Sequence, residues 1–243
     1  MATYVVSDLH GNYDLFLKGL EKINFSEKDC VYCTGDVIDK GPSGISLMLH
    51  IMKTENMDMV LGNHEFMMLN TVSPDGTTGR CNGRDSMLWL YGNGGAVTFS
   101  EYKAVPAEMR KELIEWLTNR KLSMSINVEG KEYVLTHSSY RDEYLDVPYA
   151  EIPYDAAWDI VWKSQFRDDV YCAETTYSKY PDKTFITGHV PVQRVTGQDV
   201  LMPYKKGNLI NIDGGLAYGD YLKGNGAIFL NLDTQESVTV PLH

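Results

Sequence analysis

Tyr4-Val5-Val6-Ser7-Asp8-Leu9-His10-Gly11 is the stretch from which the rest of the chain can be read. A short apolar run ends at an acid, a histidine and a glycine. The run is too short for a helix and reads as a strand buried on both faces. Tyr13, Phe16, Leu17, Leu20 and Ile23 then follow at helical spacing. The rhythm repeats. Cys30-Val31-Tyr32-Cys33 ends at Gly35-Asp36, a helix from about Pro42 carries Ile45, Leu49 and Met52, and Met57 to Leu61 ends at Gly62-Asn63. Strands apolar throughout, alternating with helices, predict an α/β fold with parallel strands. Asp8 and Asp36 are 28 residues apart, and Asp36 and Asn63 are 27 apart. Each interval is about one β-α step, since a β-α-β unit takes about 30 residues. The three residues are therefore expected side by side at the carboxyl ends of adjacent strands, the edge where open α/β sheets bind ligands.

Further along, residues 73–105 are rich in Gly, Asn, Ser and Arg and read as surface loops and short helices near the site. Pro106 opens a helix whose stripe is Met109, Leu113, Trp116 and Leu117. Segments 121–128 and 131–136 read as a hairpin around Glu129-Gly130. Residues 140–183 carry little pattern beyond a helical stretch from Trp158 to Trp162. The tail gives short strands at 184–187, 208–212, 226–232 and 236–240. No repeat, low-complexity tract or linker divides the chain, so residues 1–243 are expected to form a single domain.

With 43% hydrophobic residues, the chain has the means for a sizeable core without disulfides. Its net charge of −11 argues against nucleic acid or an anionic membrane as partner. No apolar run approaches the roughly 18 residues of a membrane helix. The N-terminus lacks a basic, signal-like region, so the expected compartment is the cytoplasm. Four cysteines, Cys30, Cys33, Cys81 and Cys172, agree with that. The Cys30-x-x-Cys33 pair lies on a strand, where positions three apart face opposite ways, and reads as packed thiols.

Five segments place metal-type ligands after apolar runs: Asp8-Leu9-His10-Gly11, Gly35-Asp36-Val37-Ile38-Asp39, Gly62-Asn63-His64-Glu65, Thr136-His137-Ser138 and Gly188-His189. Of six histidines, four fall in them. Carboxylate, imidazole and amide oxygen together suit manganese, iron or zinc better than calcium. Asp8 and His10 are placed to grip one ion, Asn63, His137 and His189 another, with Asp36 between them as a bridge. Two divalent ions against two aspartates leave about +2, a positive pocket in an acidic chain.

These segments resemble the calcineurin-like metallophosphoesterases, and within them the phosphoprotein phosphatases with their bacterial members. That family's pattern is G-D-x-H-G, G-D-x-x-D-R-G, G-N-H-E, H-G or H-A-G, then G-H-T. Asn93-Gly94-Gly95 and Asn211-Ile212-Asp213-Gly214-Gly215 also resemble bacterial segments, and the match runs in order from about residue 3 to 233. The resemblance implies two mixed β-sheets packed as a sandwich and flanked by helices. It implies two divalent metal ions, manganese first and iron or zinc as alternatives, on Asp8, His10, Asp36, Asn63, His137 and His189. It also implies His64 as general acid, Asp39 holding its imidazole, and a water or hydroxide between the metals as nucleophile.

Three departures stand out. Lys40 replaces the arginine of the second motif, Trp162-Lys163-Ser164 replaces a Trp-x-Arg, and Ser138-Ser139 follow His137 where glycine is usual. Lysine brings charge without arginine's planar fork, so Lys40 is a candidate for substrate binding, with a solvated surface lysine as the alternative. Arg80 and Arg84 are further candidates, against solvated loop residues. The function expected is hydrolysis of phosphate monoesters, on a phosphorylated protein, a peptide or a small phosphoester. A diadenosine tetraphosphate hydrolase is the alternative, and a non-catalytic scaffold a third reading. Glu65, where those nucleotide hydrolases commonly carry aspartate, favours the first.

Overall fold

The three apolar runs form strands β1 (Thr3–Val6), β2 (Cys30–Cys33) and β3 (Met57–Met59), joined by helices α1 (Tyr13–Lys22) and α2 (Gly44–Lys53). A computed structural model describes residues 1–77, 83–164, 166 and 177–243. β1 pairs parallel to β2, and β2 to β3. Beyond β3 come α3 (Asn63–Leu69), α4 (Arg84–Met87), a π-turn (Leu88–Gly92), α5 (Gly95–Ala104) and α6 (Ala107–Thr118). A second sheet then begins with the hairpin of β4 (Ser123–Val128) and β5 (Lys131–Thr136). After α7 (Tyr154–Trp162) it continues through β6 (Thr184–Thr187), α8 (Val192–Thr196), β7 (Tyr204–Lys206) and β8 (Leu209–Asn211). The last strands, β9 (Gly226–Asn231) and β10 (Ser237–Pro241), return to the first sheet.

The strand orders are β10-β9-β1-β2-β3 and β4-β5-β6-β8-β7. Both sheets are mixed. β1, β2 and β3 are parallel while β9 and β10 run against their neighbours. β5, β6 and β8 are parallel, with β4 and β7 antiparallel at the edges.

Alternation along the strands explains the sandwich. Val5 of β1 and Ile228 and Leu230 of β9 pack with Tyr133, Leu135, Ile186 and Ile210 of the second sheet. Their neighbours Val6 and Phe229 join the core beneath the helices, with Phe16 of α1 and Met48 of α2. Successive side chains of β1 and β9 are thus buried on opposite faces, which is why these strands read as unbroken apolar runs. Among the described residues no helix is long and apolar enough to cross a membrane.

The structure differs from the sequence expectations in several places. Residues 83–105 are mostly helical, and Trp89 and Tyr102 there are fully buried. Their glycines and asparagines suggest loops because they mark the breaks between short helices. α7 begins four residues earlier than the tryptophans suggested, just after Pro153. β7 went unrecognised because Tyr204-Lys205-Lys206 is a short, polar edge strand. Leu17 is 38% exposed, outside the stripe assigned to it. Cys30 and Cys33 are free thiols on β2, as expected, whereas Cys81 and Cys172 lie outside the described residues.

Phe229 ties α1 to the first sheet. It has no exposed surface, and its ring lies 6.0 Å from that of Phe16. Phe229→Ala is expected to cost about 3–5 kcal/mol, the usual range for removing a buried phenylalanine. A lower urea midpoint with an unchanged slope would verify it.

Candidate metal centre

Each parallel strand delivers one polar residue from its carboxyl end. Asp8, Asp36 and Asn63 follow β1, β2 and β3; His137, His189 and Asp213 follow β5, β6 and β8. The two sheets bring these ends to one cleft of about 790 Å³. Asp8, His10, Asp36, Asn63, His64, His189 and Asp213 line it, and His137 lies fully buried against them.

The loops that carry these residues are strained and stitched together. Among the described residues ten non-glycines have positive φ, and six of them are Asp8, His10, Asp36, Asp39, Lys40 and His189. Such backbone persists only where its surroundings over-determine it, and it collects at functional sites. The loops after β1 and β2 continue the strand pairing: the N–H of Asp8 donates to Gly35 O at 3.1 Å, and that of His10 to Asp36 O at 2.9 Å. Glu65, fully buried, fixes the second loop. Its Oε2 accepts the N–H groups of Asp36 and Gly62, both at 2.9 Å, and its Oε1 those of Val37 at 2.8 Å and Ile38 at 3.3 Å. Gly62 is required by the close approach, since a Cβ there would stand 2.1 Å from Asp36 Oδ1.

Asp36 stands at the centre. Its Oδ1 accepts the N–H of His64 at 3.0 Å. Its Oδ2 is left facing Nε2 of His10 and of His64, each at 3.7 Å, and Nε2 of His137 at 3.4 Å. Two groups of possible metal ligands share it: His10, Asp36 and His64, and Asp36, His137 and His189, each within 4.8 Å. Asn63 Oδ1 joins the second group, 2.9 Å from His137 Nε2 and 3.0 Å from His189 Nδ1.

The donor chemistry fits metal ions. The carbonyl of Thr34, 2.9 Å from His137 Nδ1, accepts a hydrogen bond from that nitrogen, so in the neutral ring Nε2 presents a lone pair. It faces Asn63 Oδ1, Asp36 Oδ2 and His189 Nδ1, the last at 3.2 Å. Lone pairs converge there, and a cation reconciles them. Burial would lower the pKa of His137, but Asp36 and Asp8 raise it to about 10, the mark of a cavity that calls for positive charge. His10 behaves differently. Its Nδ1 lies 3.1 Å from Ile38 O, and burial, then His64, lower its pKa to about 3. It is a neutral imidazole with Nε2 turned to Asp36.

Asp36 is held well below the usual carboxylate range; burial opposes this, and His137, His64 and His10 outweigh it. Asp8 is pushed well up, by burial and then by Asp213. It accepts the Ser7 hydroxyl and, at 3.1 Å, the N–H of His189. Asp8 was expected beside His10; the structure places it in the cleft but outside both tight ligand groups, and His64 stands in the first group instead.

His64 Nδ1 lies 2.5 Å from Asp39 Oδ2, so the expected pair is present. Burial lowers the His64 pKa, while Asp36 and Asp39 prevail and raise it. Lys40 is exposed and lines the cleft, and its charge is felt at His10 and His64. Lys163 is not on the cleft lining; its ammonium sits 2.8 Å from Asp159. Arg84 lies over the Trp158 ring at 4.5 Å, and Arg80 falls outside the described residues.

Two residues were missed as site members. Asp213 is buried in the cleft wall, and burial and Asp36 raise its pKa to about 7 against the N–H of Gly215 and the charge of His137. Its signal was the pattern of the other segments, an apolar run ending at Asp-Gly. Glu65 bears on loop architecture and is absent from the cleft lining.

Similarity to known proteins agrees with this geometry. The chain matches the calcineurin-like phosphoesterases over residues 1–212. It is 33% identical over 147 residues to serine/threonine-protein phosphatase 2 of Salmonella typhimurium, covering 59% of this chain and 61% of that protein. It is 28% identical over 162 residues to the symmetrical bis(5'-nucleosyl)-tetraphosphatase of Shigella dysenteriae, covering 66% of this chain and 49% of that protein. The matched part is thus about half to three fifths of these relatives' length. A solved protein serine/threonine phosphatase of Saccharomyces cerevisiae superposes with a TM-score of 0.59 at 17% identity, covering 100% of this chain and 80% of that one. At that identity the likeness concerns the fold, two five-stranded mixed sheets flanked by helices.

Glu65→Gln is expected to destabilise the protein and loosen the centre. The amide keeps one acceptor and turns an NH₂ toward buried N–H groups, at about 1–3 kcal/mol for each donor left unsatisfied. Affinity for a divalent ion should fall about 10- to 100-fold, as for loss of a group that orients ligands. Urea unfolding and a metal titration on one preparation measure both.

Proposed function

We propose, from the premise that this chain belongs to the calcineurin-like phosphoesterase family, that residues 1–243 act as one domain hydrolysing phosphate monoesters, of the phosphoserine or phosphothreonine kind. The observation that carries the reading is His64. Its imidazole is held by Asp39 at 2.5 Å, and it lies in one of the two groups that share Asp36, in one cleft. We assign Asp8, His10 and Asp36 to one divalent ion and Asp36, Asn63, His137 and His189 to a second, with manganese first and iron or zinc as alternatives. Asp8 is preferred to His64 as a ligand because this leaves His64, whose Nδ1 is held by Asp39, free to serve as the proton donor. Metal binding needs a lone pair; proton donation needs a proton.

When bound, such ions supply Lewis acidity and an activated water. The chain's own residues do the rest. Asp36 is fixed by the N–H of His64 at one oxygen and offers the other to both groups. His64 Nε2–H donates to the oxygen of the leaving alcohol as the P–O bond breaks. Asp39 orients the ring and stabilises its charged form. Lys40 adds positive charge at the cleft wall for the phosphate oxygens, without an arginine's two-pronged grip.

A second reading has its own support. The cleft's volume and its rim of Tyr218 and Tyr221 leave room beyond a single phosphate, and one relative is a bis(5'-nucleosyl)-tetraphosphatase. Turnover of diadenosine tetraphosphate exceeding that of phosphoserine peptides would select it.

Exhaustive chelation is expected to abolish turnover and manganese to restore it. Full activity in protein free of metal by elemental analysis would reject the two-ion assignment, and a chain that neither binds metal nor turns over substrate would be a scaffold. His64→Asn is expected to slow an alkyl phosphate such as a phosphoserine peptide by about 10²–10⁴-fold, the usual worth of general acid catalysis. It should slow nitrophenyl phosphate far less, because nitrophenolate leaves without a proton. Equal slowing on both substrates, with loss of metal, would make His64 a ligand instead.

A further inference from the structure

We infer that Trp89 and Thr98 clamp Asp39 and so position the His64 imidazole for proton donation. The inference rests on the reading of His64 as the general acid and adds residues to it.

Asp39 has no exposed surface, and its backbone sits at φ +72°, in the left-handed region. A residue so strained must be held from more than one side. The N–H of Asp39 donates to Thr98 Oγ1 at 2.9 Å, which holds the backbone. The indole Nε1–H of Trp89 donates to Asp39 Oδ2 at 2.8 Å, which holds the side chain. That same Oδ2 receives His64 Nδ1–H at 2.5 Å, while Oδ1 is buried with no hydrogen-bond partner among the described residues. One oxygen therefore serves both rings. Rotation of the carboxylate would break both bonds together, so the indole selects which oxygen the imidazole meets and in what plane.

Trp89 is itself held on several sides. It is fully buried in the π-turn that joins α4 to the Gly94–Gly95 break before α5. A Cβ on Gly95 would lie 2.4 Å from the indole, so only glycine lets the ring seat there, and the Phe99 ring packs at 6.0 Å. Single π-turns within helices are frequent at functional sites. Neither Trp89 nor Thr98 lines the cleft. Both are positioning residues that act through Asp39 on His64.

The test compares Trp89→Phe and Thr98→Val with His64→Asn in the manganese-loaded protein, using an alkyl phosphate, nitrophenyl phosphate and metal content. Trp89→Phe is expected to lower kcat on the alkyl phosphate about 10- to 100-fold, the worth of one hydrogen bond to a charged group. KM, nitrophenyl phosphate turnover and metal content should stay nearly unchanged. Thr98→Val, close in shape, removes the acceptor of the Asp39 N–H and should give the same pattern more weakly. In metal-free protein the downfield His64 Nδ1–H proton should exchange faster with water in Trp89→Phe, by proton NMR. Equal slowing on both substrates, loss of metal, or unchanged kinetics in both variants would overturn the clamp. Should Trp89→Phe fail to fold, Thr98→Val decides alone. If His64→Asn separates the two substrates and the clamp variants do not, the clamp is wrong and the acid stands. If His64→Asn does not separate them, both fall.

Discussion

The Glu65 carboxylate, buried and accepting four backbone N–H groups, is the interaction on which the centre depends. Those N–H groups come from the loop after β2 and from Gly62 before α3, so one side chain fixes the relative position of Asp36, Asn63 and His64. A buried carboxylate is costly unless its oxygens are satisfied, and a loop with several outward N–H groups is costly unless they are. Each solves the other's problem. Burial and Asp36 raise the Glu65 pKa, while the N–H groups of Gly62 and Asp36 lower it, so the same bonds that shape the loop also keep the charge tolerable.

With that loop fixed, the electrostatics follow. The chain carries −11 overall, yet its cleft gathers carboxylates and imidazoles whose unshared lone pairs face one another. His137 is driven up by Asp36 and Asp8 against burial, Asp8 is pushed up by burial and then by Asp213, and Asp213 by burial and by Asp36. All of these shifts express one demand, for positive charge at the junction of the two sheets. His10, neutral, and His64, favouring its proton, sit with ring centroids 4.7 Å apart but answer that demand in opposite ways. Burial and then His64 hold His10 down, whereas Asp36 and then Asp39 overcome burial at His64.

The fold gives these groups their common address. Three parallel strands in each sheet run toward the same edge, and the apolar layer between the sheets sets how near the two edges come. Side chains from opposite sheets, such as Asn63 and His137, thereby meet at 2.9 Å although they are 74 residues apart. The helical stretch 84–104, packed behind the loop after β2, reaches Asp39 through Trp89 and Thr98.

Much of this was legible in the chain. The spacing of Asp8, Asp36 and Asn63 follows from the length of a β-α step, and a short apolar run ending at Gly, Asp, Asn or His marks a strand delivering a ligand. Those are local relations, and Tyr4-Val5-Val6 or Gly62-Asn63-His64-Glu65 carries them without the rest of the molecule. The same rule, applied to Asp213, would have found one more member of the site. What tertiary structure alone decided is who meets whom. That Glu65 turns inward to a loop, that His64 lies as near Asp36 as His10 does, that Lys163 pairs with Asp159, and that Trp89 reaches Asp39 across 50 residues are contacts between distant segments. Periodicity reports which face of an element is buried; it does not report the partner, because partner choice depends on how two sheets and several helices share one core.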